Sequence, residues 1–447
     1  MRTFHLTNFG CRASQADGAG LQRQLNEAGL REVGGVDNSD IAVLNTCTVT
    51  AAADAEVRQV IRRIHRANPR CRILVTGCYA QRAPQEIAPL DGVHWVIGNS
   101  HKHRVAEVLR TESGSPAGAC NAQVMVGEID SEFHFAPAPA GDRTRPTLKV
   151  QDGCDARCAF CVIPAVRGRS RSLSPDRVIS EVQNLERQGY KEVILSGINL
   201  GSYGRDLGRS INFRGLVEQI LGETAISRLR ISSIEPMDVS PELITLAARD
   251  KRLADHFHVP LQSGSDRILR LMNRRYWTSQ YAERILAIRE MLPHAAIGAD
   301  VMAGFPDETR QDFEGTIGFV ERLPFTYLHI FPYSARPGTP AAGRPEQIGG
   351  RIAHERVREL RELIAKKHRA FLESQIGRSI SALTLAEGAP SAGVSSRTSR
   401  AGLSSNYLPV SVEGFALPPN VFLDVQVGRV HGGLLFGSAR QMNQAVA

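Results

Sequence analysis

Three cysteines fall within Gly153-Cys154-Asp155-Ala156-Arg157-Cys158-Ala159-Phe160-Cys161, directly after a strand-like run that begins near Thr147. A Cys-x3-Cys-x2-Cys loop offers three thiolates and leaves one position of a four-ligand metal open. A structural zinc site closes with four ligands, and no fourth Cys or His stands nearby. A cubane iron–sulfur cluster on three thiolates leaves one iron free to bind a ligand. The spacing therefore predicts an iron–sulfur loop at a strand exit, with zinc as its rival.

The chain around this loop alternates strands and helices. Strand candidates begin near Thr147, Glu192, Leu229, Phe257, Ala296 and Tyr327. Helices lie between them, one opening at Ser174-Pro175-Asp176, another at Thr278 and a third near Thr309. About six βα units fit an open, partial (βα)6 barrel over 142–372, with chemistry at the carboxyl ends of its strands. Upstream, the strand-like runs Thr3–Asn8, Ile41–Asn45, Arg72–Thr76 and His94–Ile97 alternate with helical Gln15–Ala28 and Ala51–Ala67. That pattern predicts an α/β domain with a doubly wound parallel sheet over 1–120. Residues 121–141, with Ala136-Pro137-Ala138-Pro139-Ala140-Gly141, read as a linker. After a charged helix, Ile352–Ser374, short β runs at Ser379–Thr384, Tyr407–Val412, Phe422–Val427 and Leu434–Gly437 predict a small antiparallel β-barrel over 376–440.

Three more cysteines occupy equivalent places in the first domain. Cys11 follows its first strand, Cys47 the second and Cys78 the third, with Gly10 and Gly77 beside them. Carboxyl ends of parallel strands share one sheet edge, where ligands of open α/β folds collect. Free cysteines also serve as core fillers, and that reading stands beside the convergent one. Cys71 and Cys120 match no motif and are read as non-functional. Eight cysteines in so long a chain suggest ligands or fillers in a reducing compartment rather than a disulfide framework. No apolar run approaches the ~18 residues of a membrane span, and Met1–Cys11 has no apolar signal core. A cytoplasmic location and no membrane partner are expected. The net charge of +8 permits a polyanionic partner without requiring one.

The Cys154–Cys161 loop resembles the signature of the radical S-adenosylmethionine enzymes. With the first-domain cysteines and the terminal β module, the whole chain resembles the methylthiotransferase family within them. That resemblance implies two [4Fe-4S] clusters, one on Cys154, Cys158 and Cys161 and an auxiliary one on Cys11, Cys47 and Cys78. It implies S-adenosyl-L-methionine as cofactor, a reducing electron donor, and a carboxyl-terminal RNA-binding TRAM module. Phe160 matches an aromatic position near the adenine of S-adenosylmethionine. Ser196, Gly197 and Asn199 fall where the family contacts its amino group, and Ser233, Glu235 and Gln262 follow the next strands as further candidates. No catalytic side chain is assigned. Ser14 stands where the family usually has asparagine, with a shorter hydrogen-bonding reach.

Two strings separate branches of the family. Asn45-Thr46-Cys47-Thr48-Val49-Thr50 and His329-Ile330-Phe331-Pro332-Tyr333-Ser334 resemble the branch acting on N6-threonylcarbamoyladenosine beside the tRNA anticodon. The branches acting on isopentenyladenosine and on a ribosomal-protein aspartate remain alternatives. The expected partner is a tRNA anticodon stem-loop, and the expected state a monomer. Arg58, Arg62 and Arg66 recur every four residues on one helix, and residues 351–400 carry ten basic against five acidic residues. Both are candidate RNA footprints; a solvated helix face is the alternative for the first. Asn406-Tyr407-Leu408-Pro409-Val410 resembles a TRAM strand. A zinc-stabilised RNA-binding protein without catalysis is the competing class.

Overall fold

Side chains on the central strand of the first domain point alternately to two faces, and each face is covered by a helix. In the computed structural model, which describes residues 2–111, 122–133, 144–208, 210–386, 399–414 and 417–439, six strands form this sheet. They are β1 (Thr3–Asn8), β2 (Arg31–Glu32), β3 (Ile41–Thr46), β4 (Arg72–Gly77), β5 (Val93–Gly98) and β6 (Gln123–Met125), in the order β2-β1-β3-β4-β5-β6. All pairings are parallel. Ile41 and Val43 pack with Leu21 and Leu25 of α1 (Arg12–Glu27). Ala42 and Leu44 pack with Val57, Ile61 and Ile64 of α2 (Ala51–Ala67). β3 is buried throughout, as a strand covered on both faces must be.

The linker reading changes here. Gln123–Met125 is the sixth strand, pairing with Trp95–Ile97, so the sheet extends into 121–141. Three mostly exposed residues carry no periodicity that a sequence reading could detect. Ala136–Gly141 and Cys120 lie outside the described residues.

The second domain holds six parallel strands. β7 (Thr147–Lys149) starts them; an antiparallel pair, β8 (Gln151–Asp152) and β9 (Arg171–Ser172), flanks the cysteine loop. β10 (Glu192–Ser196), β11 (Arg228–Ile231), β12 (His256–His258), β13 (Ala296–Ala303) and β14 (Tyr327–Pro332) follow. Hydrogen bonds group them as two triplets, β7-β10-β11 and β12-β13-β14. Parallel bridges at Leu229–Leu253 and Ser233–His258 join the triplets, giving the open partial barrel. Helices Pro175–Arg187, Thr278–Met291 and Arg310–Arg322 start within a residue of their predicted sites. Thr309 caps the last of them by accepting from the Asp312 amide at 3.1 Å. Ser174 makes no such bond; its helix starts on Pro175.

Helix Gly350–Glu373 leads to the terminal module. β15 (Ser379–Thr384), β16 (Ser399–Ser404), β17 (Pro409–Glu413), β18 (Phe422–His431) and β19 (Leu434–Ala439) close a barrel in the order β15-β16-β17-β19-β18. It is not wholly antiparallel, because β17 pairs with β19 in parallel. The predicted run Tyr407–Val412 also breaks. Tyr407 has φ +64° and precedes β17 in a turn. A bulky side chain at positive φ is strained, and the packing around it explains why it persists. Fully buried Arg230 donates from Nε to Glu192 (2.8 Å) and from its two terminal nitrogens to the carbonyls of Ser405 (3.0 Å) and Ser404 (3.2 Å). Asn406 donates to the His294 carbonyl at 3.2 Å. The module is thus clamped onto the barrel by the turn that carries Tyr407.

Candidate functional site

Register brings the first-domain thiols together. Asn8 pairs with Asn45 and Thr46 with Gly77, so the exits of β1, β3 and β4 lie side by side. Gly10 (φ +95°) makes this approach possible: a Cβ there would sit 2.8 Å from the Cys47 sulfur. Cys47 and Cys78 are buried and Cys11 is exposed. Burial, reinforced by Cys78, pushes the Cys47 thiol up to about 11. Asn99 donates to the Cys78 sulfur at 3.5 Å and to the Val166 carbonyl of the second domain at 2.8 Å. Ser14 is buried, with its hydroxyl 3.8 Å from the Cys11 sulfur and accepting from Arg167 at 3.5 Å.

A buried charge network backs this edge. Asp17 pairs with Lys102 (3.0 Å), Arg167 (2.9 Å) and Lys149, and Asp152 pairs with Arg167 (2.9 Å) and Lys149 (2.8 Å). Burial raises the Asp17 carboxyl, but Lys102, Lys149 and Arg167 override it and hold it well below the ordinary range. Three cations against two carboxylates leave an excess of positive charge, and Arg167 acts on both Cys78 and Cys11. Such an excess suits thiolates carrying a net anionic group.

The second triad is held by backbone and by three polar side chains. The Ala159 amide donates to the Met272 carbonyl (2.9 Å), and the Ala341 amide to the Ala159 carbonyl (2.8 Å). Buried Gln151 donates to the Gly153 carbonyl (2.8 Å) and accepts from the Asn199 amide (2.8 Å). Asn199 reaches the Cys154 sulfur at 3.8 Å, and Arg274 donates to the Cys158 sulfur at 3.3 Å while pairing with Glu235. Burial pushes Cys161 up to about 12. Phe160 meets Phe305 edge-on at 6.5 Å between centroids. Gly153 has φ +73°, and a Cβ there would lie 1.9 Å from the Arg169 carbonyl oxygen. Gly153→Ala is therefore expected to displace the loop, cost more than about 1 kcal/mol, and lower the iron bound after anaerobic reconstitution, read by iron analysis.

Two observations test whether these triads fit iron–sulfur cubanes. Among the described residues, the only group with three ligand atoms all within 4.8 Å of one another is His258, Asp300 and His329. Neither cysteine triad is that tight, whereas tetrahedral zinc with bonds of about 2.3 Å needs sulfurs about 3.8 Å apart. The wider spacing fits a cubane, whose thiolates sit on separate irons. Further, Asn199 Oδ1 and Gln262 Oε1 are buried acceptors with no partner among the described residues. Gln262 also holds φ +67°. Unmet buried acceptors suit a ligand with amino and hydroxyl donors.

Beside Cys11, between the first domain and the barrel, lies a cavity of about 330 Å³, at the lower end of the usual size for small-molecule sites. Cys11, Arg12 and Ala13 form one wall; Ser196, Gly197, Ser232 and Ser233 form another. The rest is aromatic and acidic, from His256, His258, Asp300, Tyr327, His329 and Tyr407. Asp300 Oδ1 lies 3.0 Å from His258 Nε2 and 3.2 Å from His329 Nδ1. Burial raises the Asp300 carboxyl, but these two histidines hold it well below the ordinary range. His256 contacts the Tyr327 hydroxyl at 2.7 Å; burial, then Arg230 and Arg12, keep it neutral.

Residues 3–98 match the uncharacterized protein family UPF0004, and residues 148–320 the radical SAM superfamily. The chain is 38% identical over 412 residues to the threonylcarbamoyladenosine tRNA methylthiotransferase MtaB of Aquifex aeolicus, covering 91% of this chain and 96% of that one. The chain belongs to the radical S-adenosylmethionine methylthiotransferases. It is also 34% identical to the tRNA-2-methylthio-N(6)-dimethylallyladenosine synthase of Pelotomaculum thermopropionicum, covering 84% and 85% of the two chains. Among solved structures it shares its fold with the radical S-adenosylmethionine methyltransferase TsrM from Kitasatospora setae, with TM-score 0.54, 15% identity and 76% and 77% coverage. As a radical S-adenosylmethionine enzyme, this methylthiotransferase uses an iron–sulfur cluster and S-adenosylmethionine. No helix among its described residues is long and apolar enough to cross a membrane.

The methylthiotransferase uses several of its motif residues to join domains. Arg336, in the loop after β14, donates to Thr48 at 2.7 Å and pairs with Asp54, which also binds Arg82 at 2.9 Å. The Ser334 hydroxyl accepts from the Ala51 amide at 3.0 Å. Each of the strings 45–50 and 329–334 therefore lies at the domain interface, Thr48 against Arg336 and Ser334 against Ala51. Arg58 donates to the Tyr79 hydroxyl at 2.5 Å and faces Glu86 at 3.5 Å, while Arg62 and Arg66 are exposed. Ser265 caps helix Asp266–Leu271, and Cys71 is buried against Ser39. Gln151, Arg274 and Arg12 carry no motif of their own and emerge only from the fold.

Proposed function

We propose that this enzyme transfers a methylthio group to carbon 2 of N6-threonylcarbamoyladenosine beside the anticodon of tRNA. The supporting observation is the cavity between the first domain and the barrel. Cys11 lies on one wall, and on the other lies the Ser196–Asn199 loop, whose far end touches Cys154. Carbon 2 carries an unactivated C–H bond that no side-chain base ionises usefully. When bound, an iron–sulfur cluster on Cys154, Cys158 and Cys161 supplies the electron that opens the sulfonium of S-adenosylmethionine. A second [4Fe-4S] cluster, held by Cys11, Cys47 and Cys78, supplies sulfur chemistry on the opposite side.

The chain's own work is placement. Asn199 and Gln262 offer buried acceptors to amino and hydroxyl groups of S-adenosylmethionine. Ser196, Gly197 and Ser233 shape the wall along which it lies, and Phe160 flanks its adenine. Glu235 accepts from Arg274 and thereby fixes the guanidinium that faces Cys158. The target base leaves its stack to enter the cavity, which an anticodon loop permits at small cost. Exposed Arg62 and Arg66 and the terminal barrel provide phosphate contacts. An external electron donor, a monomeric state and a cytoplasmic location complete the reading.

Nucleoside mass spectrometry of tRNA from a deletion strain tests it. Loss of the 2-methylthio derivative of threonylcarbamoyladenosine, restored by the wild-type gene, is the expected result. Unchanged levels of that nucleoside, or loss of the isopentenyl derivative instead, overturn the substrate assignment.

A further inference from the structure

We propose that Arg12, held on the ring of Tyr407, binds the carboxylate of the threonylcarbamoyl group and so selects an anionic N6 substituent. The inference rests on the substrate reading above and deepens it.

Three observations carry it. First, Arg12 is the only lysine or arginine among the described residues lining the cavity. Second, its charge is unmatched. Its guanidinium donates to the neutral Tyr407 hydroxyl at 2.8 Å and lies 5.3 Å from the ring centroid, and no ion pair to a carboxylate is found for it among the described residues. The one carboxylate in the wall, Asp300, is engaged by His258 and His329. The contrast with Arg230 is direct: Arg230 lies 5.1 Å from the centroid of the same ring but pairs with Glu192. Third, Tyr407 is held there at a strained φ of +64° by the docked turn of the terminal module. Strained residues persist where the surroundings over-determine them, commonly at ligand sites.

An unpaired guanidinium beside a cavity calls for an anion from the ligand. The threonylcarbamoyl group carries one carboxylate at neutral pH. A dimethylallyl group carries none and would leave the guanidinium unmatched. Arg12 adjoins Cys11, whereas the S-adenosylmethionine side of the site is served by Arg274 and Asn199, which face Cys158 and Cys154. The carboxylate bound by Arg12 is therefore assigned to the nucleoside. Through Tyr407, the terminal barrel becomes part of the specificity pocket as well as an RNA contact.

The test uses the full, cluster-loaded enzyme and three anticodon stem-loops: threonylcarbamoyladenosine as free acid, its methyl ester, and plain adenosine. Binding is read by fluorescence anisotropy and product by mass spectrometry, with iron content checked for each variant. Wild type is expected to bind the acid about tenfold or more tightly than the ester. Arg12→Gln is expected to erase that preference while binding the ester as wild type does, and Arg12→Lys to restore part of it. Equal wild-type affinity for acid and ester overturns the proposal without any variant. Equal weakening of all three stem-loops by Arg12→Gln also overturns it, assigning Arg12 to a backbone phosphate. If wild type forms product from the acid yet shows no acid preference, only the role of Arg12 fails. If it forms no product from the acid, the substrate reading fails, and this inference with it.

Discussion

Replacing Cys11, Cys47 and Cys78 together with alanine is expected to abolish methylthio transfer while leaving cleavage of S-adenosylmethionine intact. The two thiol triads belong to different domains and have separate supports. Asn99, Ser14 and Arg167 attend the first; Gln151, Asn199 and Arg274 attend the second. Iron should fall from about eight to about four per chain, with 5′-deoxyadenosine still formed under reducing conditions. Transfer should drop by about a thousandfold or more, since no remaining side chain supplies sulfur. Replacing Cys154, Cys158 and Cys161 should instead abolish both 5′-deoxyadenosine formation and transfer. Unaltered iron content in the first variant would show that Cys11, Cys47 and Cys78 are only buried thiols.

That experiment separates two readings which the sequence left open, and the structure shows why it did so. Thiols at the exits of three parallel strands were legible because topology alone brings those exits together, and β1, β3 and β4 lie adjacent as the alternation required. The occupant was less legible. Spacing within Cys154–Cys161 argued for an open iron and, through the missing fourth ligand, against zinc; that neither triad is as tight as a zinc site adds to this only in the fold. Arg274 illustrates what a linear reading misses. It reaches Cys158 from the segment following helix Asp266–Leu271, over a hundred residues later in the chain, with no pattern around it to announce a role. The strings around Cys47 and after His329 were legible as markers of a branch. Their side chains, through Thr48, Asp54, Ser334 and Arg336, hold the first domain against the barrel. The run Tyr407–Val412 reads as a strand from its β-prone residues; the docking of the turn onto Arg230 overrides that local preference at Tyr407.

The docking of that turn carries the second large expectation, that Glu192→Gln loosens the terminal barrel from the rest of the enzyme. Glu192 is fully buried among Arg230 (2.8 Å), Arg145 (3.4 Å) and Arg228 (3.5 Å). Burial alone would raise its carboxyl; Arg230, then Arg145 and Arg228, bring it down to about 2. Arg230 is the nearest of the three and lowers that carboxyl most. A neutral amide at 192 leaves three guanidiniums without their shared counter-charge, a loss of about 3–5 kcal/mol for a broken buried pair. Arg230 is then less firmly held beneath the carbonyls of Ser404 and Ser405, and Tyr407 loses its support. Hydrogen exchange over 399–413 should accelerate by about a hundredfold, and the acid-over-ester preference of the stem-loops should fall with it. Because the folded carboxyl titrates below its unfolded value, its stabilisation is fully present above about pH 4.5 and disappears as the pH falls toward about 2. Wild type should therefore lose protection of this turn in acid, while Glu192→Gln should show a flatter pH dependence. Unchanged exchange in the variant at pH 7 would mean that the module is held without the Glu192 charge, by its apolar contacts and by bonds such as Asn406 to the His294 carbonyl, and that Tyr407 is placed by its own turn.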